Sequence, residues 1–168
     1  MRKTIFVGGG NMAYAILGGL LEAGHPANCF HVIEINPEAQ SKIASLGISC
    51  SAEFPLHFQA EQLVLAVKPQ SMEEVLKSVM ASVRSSGKPQ PQNLLFISIA
   101  AGVSIAKLQE WSGLAQARIA RTMPNTPALV GQGMTGVYFT ANCTADDKSS
   151  VLSLFKACGE TVEVPDEA

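Results

Sequence analysis

The sequence has few charges, no cluster of basic residues and no long hydrophobic run. Only 15% of its 168 residues are charged and the net charge is -2, so nothing favours binding to nucleic acid or to an anionic membrane. No apolar stretch approaches the roughly 20 residues of a membrane-spanning helix. The apolar run behind the basic start ends at Gly8, which is too short for a signal peptide. We expect a cytoplasmic protein whose partners include neither nucleic acid nor a membrane.

The sequence also lacks any pattern of cysteines that holds a metal or builds a disulfide framework. Four cysteines are scattered without a C-x-x-C pair, at Cys29, Cys50, Cys143 and Cys158. We expect reduced, mostly buried thiols and no metal site. With 47% apolar residues, a chain of this length can bury a sizeable core as one domain.

Short apolar runs alternate with segments of helical period along the chain. The predicted strands are 4–7, 30–35, 63–67, 94–99, 118–122, 134–140 and 161–164. Such alternation is typical of βαβ units on a parallel sheet covered on both faces. We predict an α/β fold with a doubly wound, Rossmann-type sheet, mostly parallel with antiparallel edge strands; segment 134–140 is the expected antiparallel strand at the sheet edge.

Several helix starts carry recognisable signals. Asn36 precedes a proline and predicts an N-cap, and Ser71 with Glu74 has the spacing of a capping box. Thr144 and Asp147 predict the start of the last helix.

A glycine pattern follows the first predicted strand directly. Residues 8–13 read Gly-Gly-Gly-Asn-Met-Ala and match G-x-G-x-x-A. The pyrophosphate of a dinucleotide needs a tight turn at Gly8, a backbone without a side chain at Gly10 and a small residue at Ala13. The helix that follows offers free N–H groups and a positive dipole end. An ordinary glycine turn is the alternative.

An acidic residue, Glu34, ends the second predicted strand. The dinucleotide pattern expects such a carboxylate about 20 positions on, where it accepts hydrogen bonds from the adenine ribose and repels a 2′-phosphate. Residues 35–37 include no arginine to receive that phosphate. The spacing therefore favours NAD over NADP, unless Glu34 is only a solvated charge.

Three further segments follow the ends of later strands, where open α/β sheets bind ligands. Lys68 lies at the start of a helix, a place that disfavours a cation unless an anion is near. Segment 98–102 consists mostly of small residues, which suits either a flat ring or plain packing. Asn125 stands between two prolines and is either a ligand-facing amide or a turn former.

No general acid or base is evident among the histidines. His25, His31 and His57 lie apart, with no carboxylate at a suggestive spacing. We interpret all three as structural or solvated, and no nucleophile motif is present.

Taken together, segments 7–13, 65–70, 98–102 and 121–127 resemble pyrroline-5-carboxylate reductases in sequence, order and spacing. The resemblance covers nearly all of the chain, and its most specific part is Arg-x-Met-Pro-Asn-Thr-Pro at 121–127. It implies reduction of 1-pyrroline-5-carboxylate to L-proline, with hydride from NADH or NADPH held in position by the protein.

The resemblance also implies which residues contact the cofactor. The pyrophosphate falls to Gly8, Gly9, Gly10, Asn11 and Met12; the nicotinamide ribose region to Ala66, Val67, Lys68 and Pro69; and the nicotinamide side to Ala100 and Ala101, with Asn125 near the hydride-transfer site. No certain catalytic residue is assigned. Many family members have a polar residue and an arginine where this chain has Glu34 and Ile35, which again favours NADH.

Family members continue into a helical domain that dimerises and completes the substrate site. We therefore expect residues 1–164 to form the NAD(P)-binding domain and 165–168 to begin the connection to a missing domain. The fragment alone is expected to show little or no turnover, and the full-length protein to be a homo-oligomer through that domain. The alternatives are the binding domain of another dehydrogenase, such as a hydroxyacid or prephenate dehydrogenase, and a non-catalytic dinucleotide-binding module.

Overall fold

A computed structural model of the chain describes residues 1–125 and 131–167. In these residues strands and helices alternate along most of the chain. The strands are β1 (Thr4–Val7), β2 (Phe30–Ile33), β3 (Ser49–Ser51), β4 (Gln62–Leu65), β5 (Leu95–Ser98), β6 (Arg118–Met123), β7 (Gly133–Phe139) and β8 (Gly159–Glu163). The α-helices are α1 (Asn11–Glu22), α2 (Pro37–Ser45), α3 (Pro69–Ser86), α4 (Ile105–Ser112) and α5 (Ala145–Lys156).

All eight strands join one sheet, in the order β3-β2-β1-β4-β5-β6-β7-β8. The first six run parallel, β7 pairs antiparallel with β6, and β8 pairs parallel with β7. The predicted doubly wound, mostly parallel fold with antiparallel strands at one edge is confirmed. The strand predicted to be at the edge is β7, however, and β8 lies outside it, so that detail was wrong.

Each face of the sheet is covered by helices and builds its own hydrophobic core. Phe6 and Val64 face α1, α2 and α5, whereas Ile5, Leu63 and Leu65 face α3 and α4. Successive strand residues point to opposite faces, so a short apolar run fills both cores at once. This is why the strands of β1 and β4 contain no exposed residue.

The capping signals were right for two helices and wrong for one. Asn36 caps α2, since its Oδ1 accepts from the N–H groups of Glu38 and Ala39 at 2.9 and 3.1 Å. Thr144 and Asp147 form a reciprocal capping box on α5. The Ser71–Glu74 box is not formed, because α3 begins earlier, at Pro69, whose fixed φ suits the first turn.

Two elements were not expected from the sequence. Strand β3 is short and polar, and it is held by backbone pairing to β2 rather than by an apolar pattern. Helix α4 begins at an N-cap, Ser104, whose Oγ accepts from the N–H of Lys107, and ends before the left-handed Gly113.

Strand β2 ends two residues before the predicted end at residue 35, because the Glu34 side chain accepts hydrogen bonds from the N–H groups of Ile35 and Asn36.

Two buried polar groups tie distant parts of the fold together. The Asp147 carboxylate, fully buried, accepts hydrogen bonds from Arg2 at 2.8 Å and from Arg118 at 2.6 Å. Burial by itself would raise the pKa of this group, but hydrogen bonds from the Thr144 N–H and the two arginines lower the pKa to about 2. The His31 ring lies between the hydroxyls of two β3 serines.

The expected state of the cysteines is confirmed in part. All four are free thiols, but only Cys158 is fully buried and the other three are half-buried. Among the helices that the structure describes, none is long and apolar enough to cross a membrane.

Candidate functional site

The carboxyl ends of β1, β2, β4 and β5 meet at one edge of the sheet. Strand β1 lies between β2 and β4, and the chain leaves β1 toward α1 on one face but leaves β4 toward α3 on the other. A crevice opens at such a switch point, outside the ends of the strands. The candidate site residues predicted from the sequence follow these strand ends.

The glycine loop is shaped as a phosphate-binding turn requires. Gly8 has a φ of +105°, and a Cβ there would lie 2.7 Å from the carbonyl oxygen of Ala66. Gly10 is the N-cap of α1, has an extended backbone, and would place a Cβ in open space with no atom within 4 Å. The fold therefore needs a glycine at position 8, and a Cβ at Gly9 would also be crowded, at 3.2 Å from the Val32 side chain. The open space at Gly10 and the helix N-terminus instead fit an incoming pyrophosphate.

Glu34 holds the glycine loop as well as the end of β2. Its Oε1 accepts from the N–H of Gly9 at 2.8 Å, and its Oε2 accepts from Ile35 and Asn36 at 2.9 and 3.0 Å. A carboxylate offers about four acceptor positions, so roughly one remains for a ribose hydroxyl. The sequence located Glu34 at this site but did not reveal its bond to the loop.

A cavity of about 410 Å³ opens beside Glu34, between the glycine loop and α2. Its lining includes Asn11, Tyr14, Glu38 and Lys42. Lys42 and Tyr14 were missed from the sequence. Lys42 is four residues after Glu38 on α2, so the two side chains lie on one face of the helix. This spacing is visible in the sequence and could have identified both residues as neighbours of the site.

The segment after β4 lies directly against the glycine loop. A Cβ on Gly8 would meet the Val67 side chain at 3.1 Å, and the Ala66 N–H donates to the Val7 carbonyl oxygen at 2.8 Å. Lys68 is exposed and is the N-cap residue of α3, with Pro69 as the first helical residue. The structure thus brings the first two predicted segments together at one edge.

The segment after β5 lies next to the segment after β4. Ile99 donates its N–H to the Leu65 carbonyl oxygen at 3.2 Å, which aligns the ends of β4 and β5. Ala100 is buried and donates its N–H to the Ser98 Oγ at 3.3 Å, whereas Ala101 is exposed at the turn that follows. This turn offers a ligand backbone atoms and little side chain.

Asn125, the last of the predicted contacts, is exposed beyond the end of β6. Its Oδ1 accepts from the N–H of Met134 at 3.0 Å, so the amide links the ends of β6 and β7. Part of the motif at 121–127, namely Thr126 and Pro127, lies outside the described residues.

A second cavity, of about 540 Å³, lies on the other side of the β2 end and was not anticipated. Apolar side chains at the end of β2, in the loop before β4 and on α3 line much of it, including Ile35, Phe54, Leu56 and Val75. Two carboxylates, Glu53 and Glu74, also face it. Ile35 is 79% exposed and Leu56 is 69% exposed. An apolar surface of this kind beside Glu34 suits one face of a flat ring.

The histidines and the possible metal ligands lie apart from this edge of the sheet or do not form a cluster in the described residues. Of the predicted structural histidines, His31 is buried; burial first and the charge of His57 second lower the pKa of His31, so it is neutral at pH 7. Across residues 1–125 and 131–167, no group of three or more His, Cys, Asp or Glu side chains could hold a metal ion.

Comparison with known protein families shows which family the chain belongs to. Residues 3–102, more than half of the chain, match the family described as NADP oxidoreductase, coenzyme F420-dependent. The chain belongs to this family. The matched region contains the glycine loop, Glu34, the segment after β4 and the turn after β5.

Several proteins similar to this chain are named pyrroline-5-carboxylate reductase. The enzyme of that name from Haemophilus influenzae is 42% identical over 163 residues, which are 96% of this chain and 57% of the relative. The structure of a pyrroline-5-carboxylate reductase from Coxiella burnetii matches 99% of this chain and 60% of that one, with a TM-score of 0.86 and 29% identity. The resemblance drawn from the sequence motifs is confirmed.

A third relative was solved with its cofactor. The structure of the Plasmodium falciparum pyrroline carboxylate reductase with NADP bound matches 97% of this chain and 57% of its own, with a TM-score of 0.73 and 27% identity. The chain thus spans about 57 to 60% of the length of the relatives it matches.

Proposed function

We propose that this chain is the dinucleotide-binding part of a pyrroline-5-carboxylate reductase, which reduces 1-pyrroline-5-carboxylate to L-proline with hydride from NADH or NADPH. The observation that carries the proposal is the glycine loop: position 8 has no room for a side chain beside the Ala66 carbonyl, while Gly10 leaves open space at the N-terminus of α1. The similarity to reductases of this name supports the choice of reaction.

The cofactor is proposed to lie along the carboxyl edge of the sheet. The pyrophosphate faces residues 8–12, the nicotinamide ribose lies by residues 66–69, and the nicotinamide ring lies by Ala100 and Ala101. The adenine ring then reaches the second cavity, where the exposed Ile35 offers it an apolar face. Asn125 lies near the hydride-transfer site in this arrangement.

The chain's own residues bind and orient; the bound nicotinamide supplies the hydride. The N–H groups at the start of α1 and the positive end of its dipole bind the pyrophosphate charge. The Lys68 ammonium, exposed at the start of α3, adds a cation near the phosphates and ribose. Backbone at Ala100 and Ala101 fixes the ring, and positioning of this kind carries most of the rate in hydride transfer.

Selectivity between the two cofactors is proposed to favour NADH. The Glu34 and Glu38 carboxylates and a single ammonium, Lys42, line the cavity beside the ribose position. A 2′-phosphate there would meet more negative than positive charge, at distances where water screens only part of the repulsion. Lys42 keeps NADPH as the weaker ligand rather than excluding it.

The remaining length of the relatives is proposed to complete the enzyme. Residues 1–164 form the cofactor domain, and 165–168 begin a connection to a helical domain that supplies substrate contacts and a homo-oligomeric interface. The enzyme is proposed to work in the cytoplasm on a small-molecule substrate, and this chain alone is expected to bind cofactor without turnover.

The experiment that tests the reaction adds the length that the relatives have beyond the matched region. The chain is fused to the residues of the Haemophilus influenzae enzyme that lie beyond the matched region, and NADH binding to the fusion is checked first. We expect L-proline to form from 1-pyrroline-5-carboxylate and no product from prephenate or a 2-hydroxy acid. A fusion that binds NADH but makes no proline would contradict the proposal and favour a non-catalytic binding module, while turnover of another substrate would favour a different dehydrogenase.

A further inference from the structure

A charged contact on the α4 side of the sheet joins three separate parts of the chain. The Glu167 Oε1 accepts from Arg121 Nη1 on β6 at 2.8 Å and from the backbone N–H of Ile105 at 2.6 Å. The Arg121 side chain is 15% exposed and that of Glu167 is 33% exposed. The contact is therefore largely shielded from water, unlike the exposed pairs elsewhere on the described surface.

The arginine has few other partners to stabilise its charge. Its Nε is buried and has no hydrogen-bond partner in the part of the chain that the structure describes. A buried guanidinium is costly unless a carboxylate compensates it. Glu167 supplies that charge, and it also places an anion on the first N–H of α4, where the helix dipole favours one.

Ile105 directly follows the turn that carries Ala100 and Ala101. The other end of that turn is tied to β6 as well, because Thr122 Oγ1 donates to the Ser98 carbonyl oxygen at 2.8 Å. Two consecutive residues of β6 thus hold the two ends of segment 99–104: Thr122 directly, and Arg121 through Glu167. Gly102, with a φ of +77°, gives the segment a flexible point between these two ties.

We propose that Arg121 and Glu167 are positioning residues for segment 99–104, and that they set where its backbone meets the nicotinamide end of the cofactor. This inference rests on the proposed function for the identity of the ligand. Loss of the contact frees the start of α4 and the turn before it, while the glycine loop at the end of β1 and the Glu34 cavity beside β2 keep their own contacts.

The test compares variants of the whole chain. Glu167→Ala removes both bonds, Glu167→Gln keeps an acceptor for the Ile105 N–H but loses the charge, and Arg121→Lys keeps the charge. The matched control is Glu163→Ala, which removes the exposed ion pair with Lys148 at 2.9 Å. Two quantities are measured: amide hydrogen exchange over segment 99–105, and calorimetric binding of NADH and of ADP-ribose, which lacks the nicotinamide.

We expect faster exchange in segment 99–105 of Glu167→Ala, with NADH binding weakened about tenfold and ADP-ribose binding changed less than about twofold. In both exchange rate and NADH affinity, Glu167→Gln and Arg121→Lys should fall between Glu167→Ala and the unaltered chain. Glu163→Ala should match the unaltered chain in both. Unchanged exchange in Glu167→Ala would overturn the inference, as would equal weakening of NADH and ADP-ribose. If the unaltered chain binds neither ligand, the proposed function fails, and the role assigned to these residues in cofactor binding fails with it.

Discussion

The Glu34 carboxylate is hydrogen-bonded to the backbone N–H of Gly9, at 2.8 Å, across the carboxyl edge of the sheet. This bond joins the end of β2 to the glycine loop after β1, so one side chain both shapes the loop and lies beside the expected ribose position. A change at Glu34 should therefore affect cofactor selectivity and loop order together.

Glu34→Gln tests the selectivity. The amide oxygen can still accept from Gly9, but the charge that repels a 2′-phosphate is gone. We expect the ratio of NADPH to NADH affinity to rise about three- to tenfold, measured by calorimetry. Glu22→Gln, an exposed carboxylate at the end of α1, is the control. An unchanged ratio in Glu34→Gln would remove Glu34 from the account of selectivity.

Alanine at the first glycine of the loop should reduce stability, whereas alanine at the third should reduce NADH binding. Gly8→Ala places a side chain at positive φ and against the Ala66 carbonyl, so we expect a loss of about 2 kcal/mol in the free energy of unfolding. Gly10→Ala meets no atom within 4 Å and costs only the preference for glycine at an N-cap, so the free energy of unfolding should fall by less than about 1 kcal/mol while NADH binding falls at least about tenfold. Gly18→Ala is equally free of contacts but lies inside α1, so it should leave NADH binding unchanged and raise the free energy of unfolding by up to about 1 kcal/mol. Tight NADH binding by Gly10→Ala would contradict the placement of the pyrophosphate.

Asp147 should make the fold sensitive to acid. Its pKa is about 2 in the folded chain and 3.8 without these contacts, so the folded state binds fewer protons than the unfolded state between these values. The stabilisation is complete above pH 3.8 and is lost as the pH falls through about 2. At pH 7 we expect Asp147→Asn to cost about 3 kcal/mol in urea unfolding, because two arginines lose their counter-charge.

The neighbouring Asp146→Asn is the matched control, since Asp146 lies exposed in the same helical turn. It should unfold at nearly the same urea concentration as the unaltered chain. Similar losses in the two variants would mean that the helix dipole, and not the arginine contacts, accounts for the effect.

The His31 ring should have a pKa below that of a free histidine. Burial, and to a smaller extent the charge of His57, lower its pKa from 6.5, so the unfolded chain takes up the proton first as the pH falls. The contribution of His31 to the free energy of unfolding is therefore complete above pH 6.5 and decreases as the pH falls below it. A titration of the His31 ring by nuclear magnetic resonance should give a pKa below 6.5, shifted part of the way back in His57→Gln. A pKa at or above 6.5 would show that the ring is not held neutral between its two serines.

The parts of the fold that were predictable are those decided by local sequence. The glycine loop, the Asn36 cap and the Thr144–Asp147 capping box depend on residues within a few positions of one another. The same holds for the apolar runs that became β1 and β4. In each, local propensity and the global fold agree.

What the sequence did not reveal depends on partners far apart in the chain. Strand β3 exists because β2 offers it backbone partners, not because its own residues favour a strand. The bonds of Glu34 to Gly9 and of Arg121 to Glu167 span 25 and 46 positions, so no spacing rule predicts them. Helix α4 is a different case, since its Ser104 cap and Gly113 end are ordinary local signals that were overlooked.

The most direct test of the account is a calorimetric titration of the 168-residue chain with NADH and NADPH in parallel. We expect that both bind, that NADH binds more tightly, and that Gly10→Ala loses both. Binding of neither by the unaltered chain would contradict a dinucleotide site formed by these residues, and tighter binding of NADPH would contradict the role given to Glu34 and Glu38.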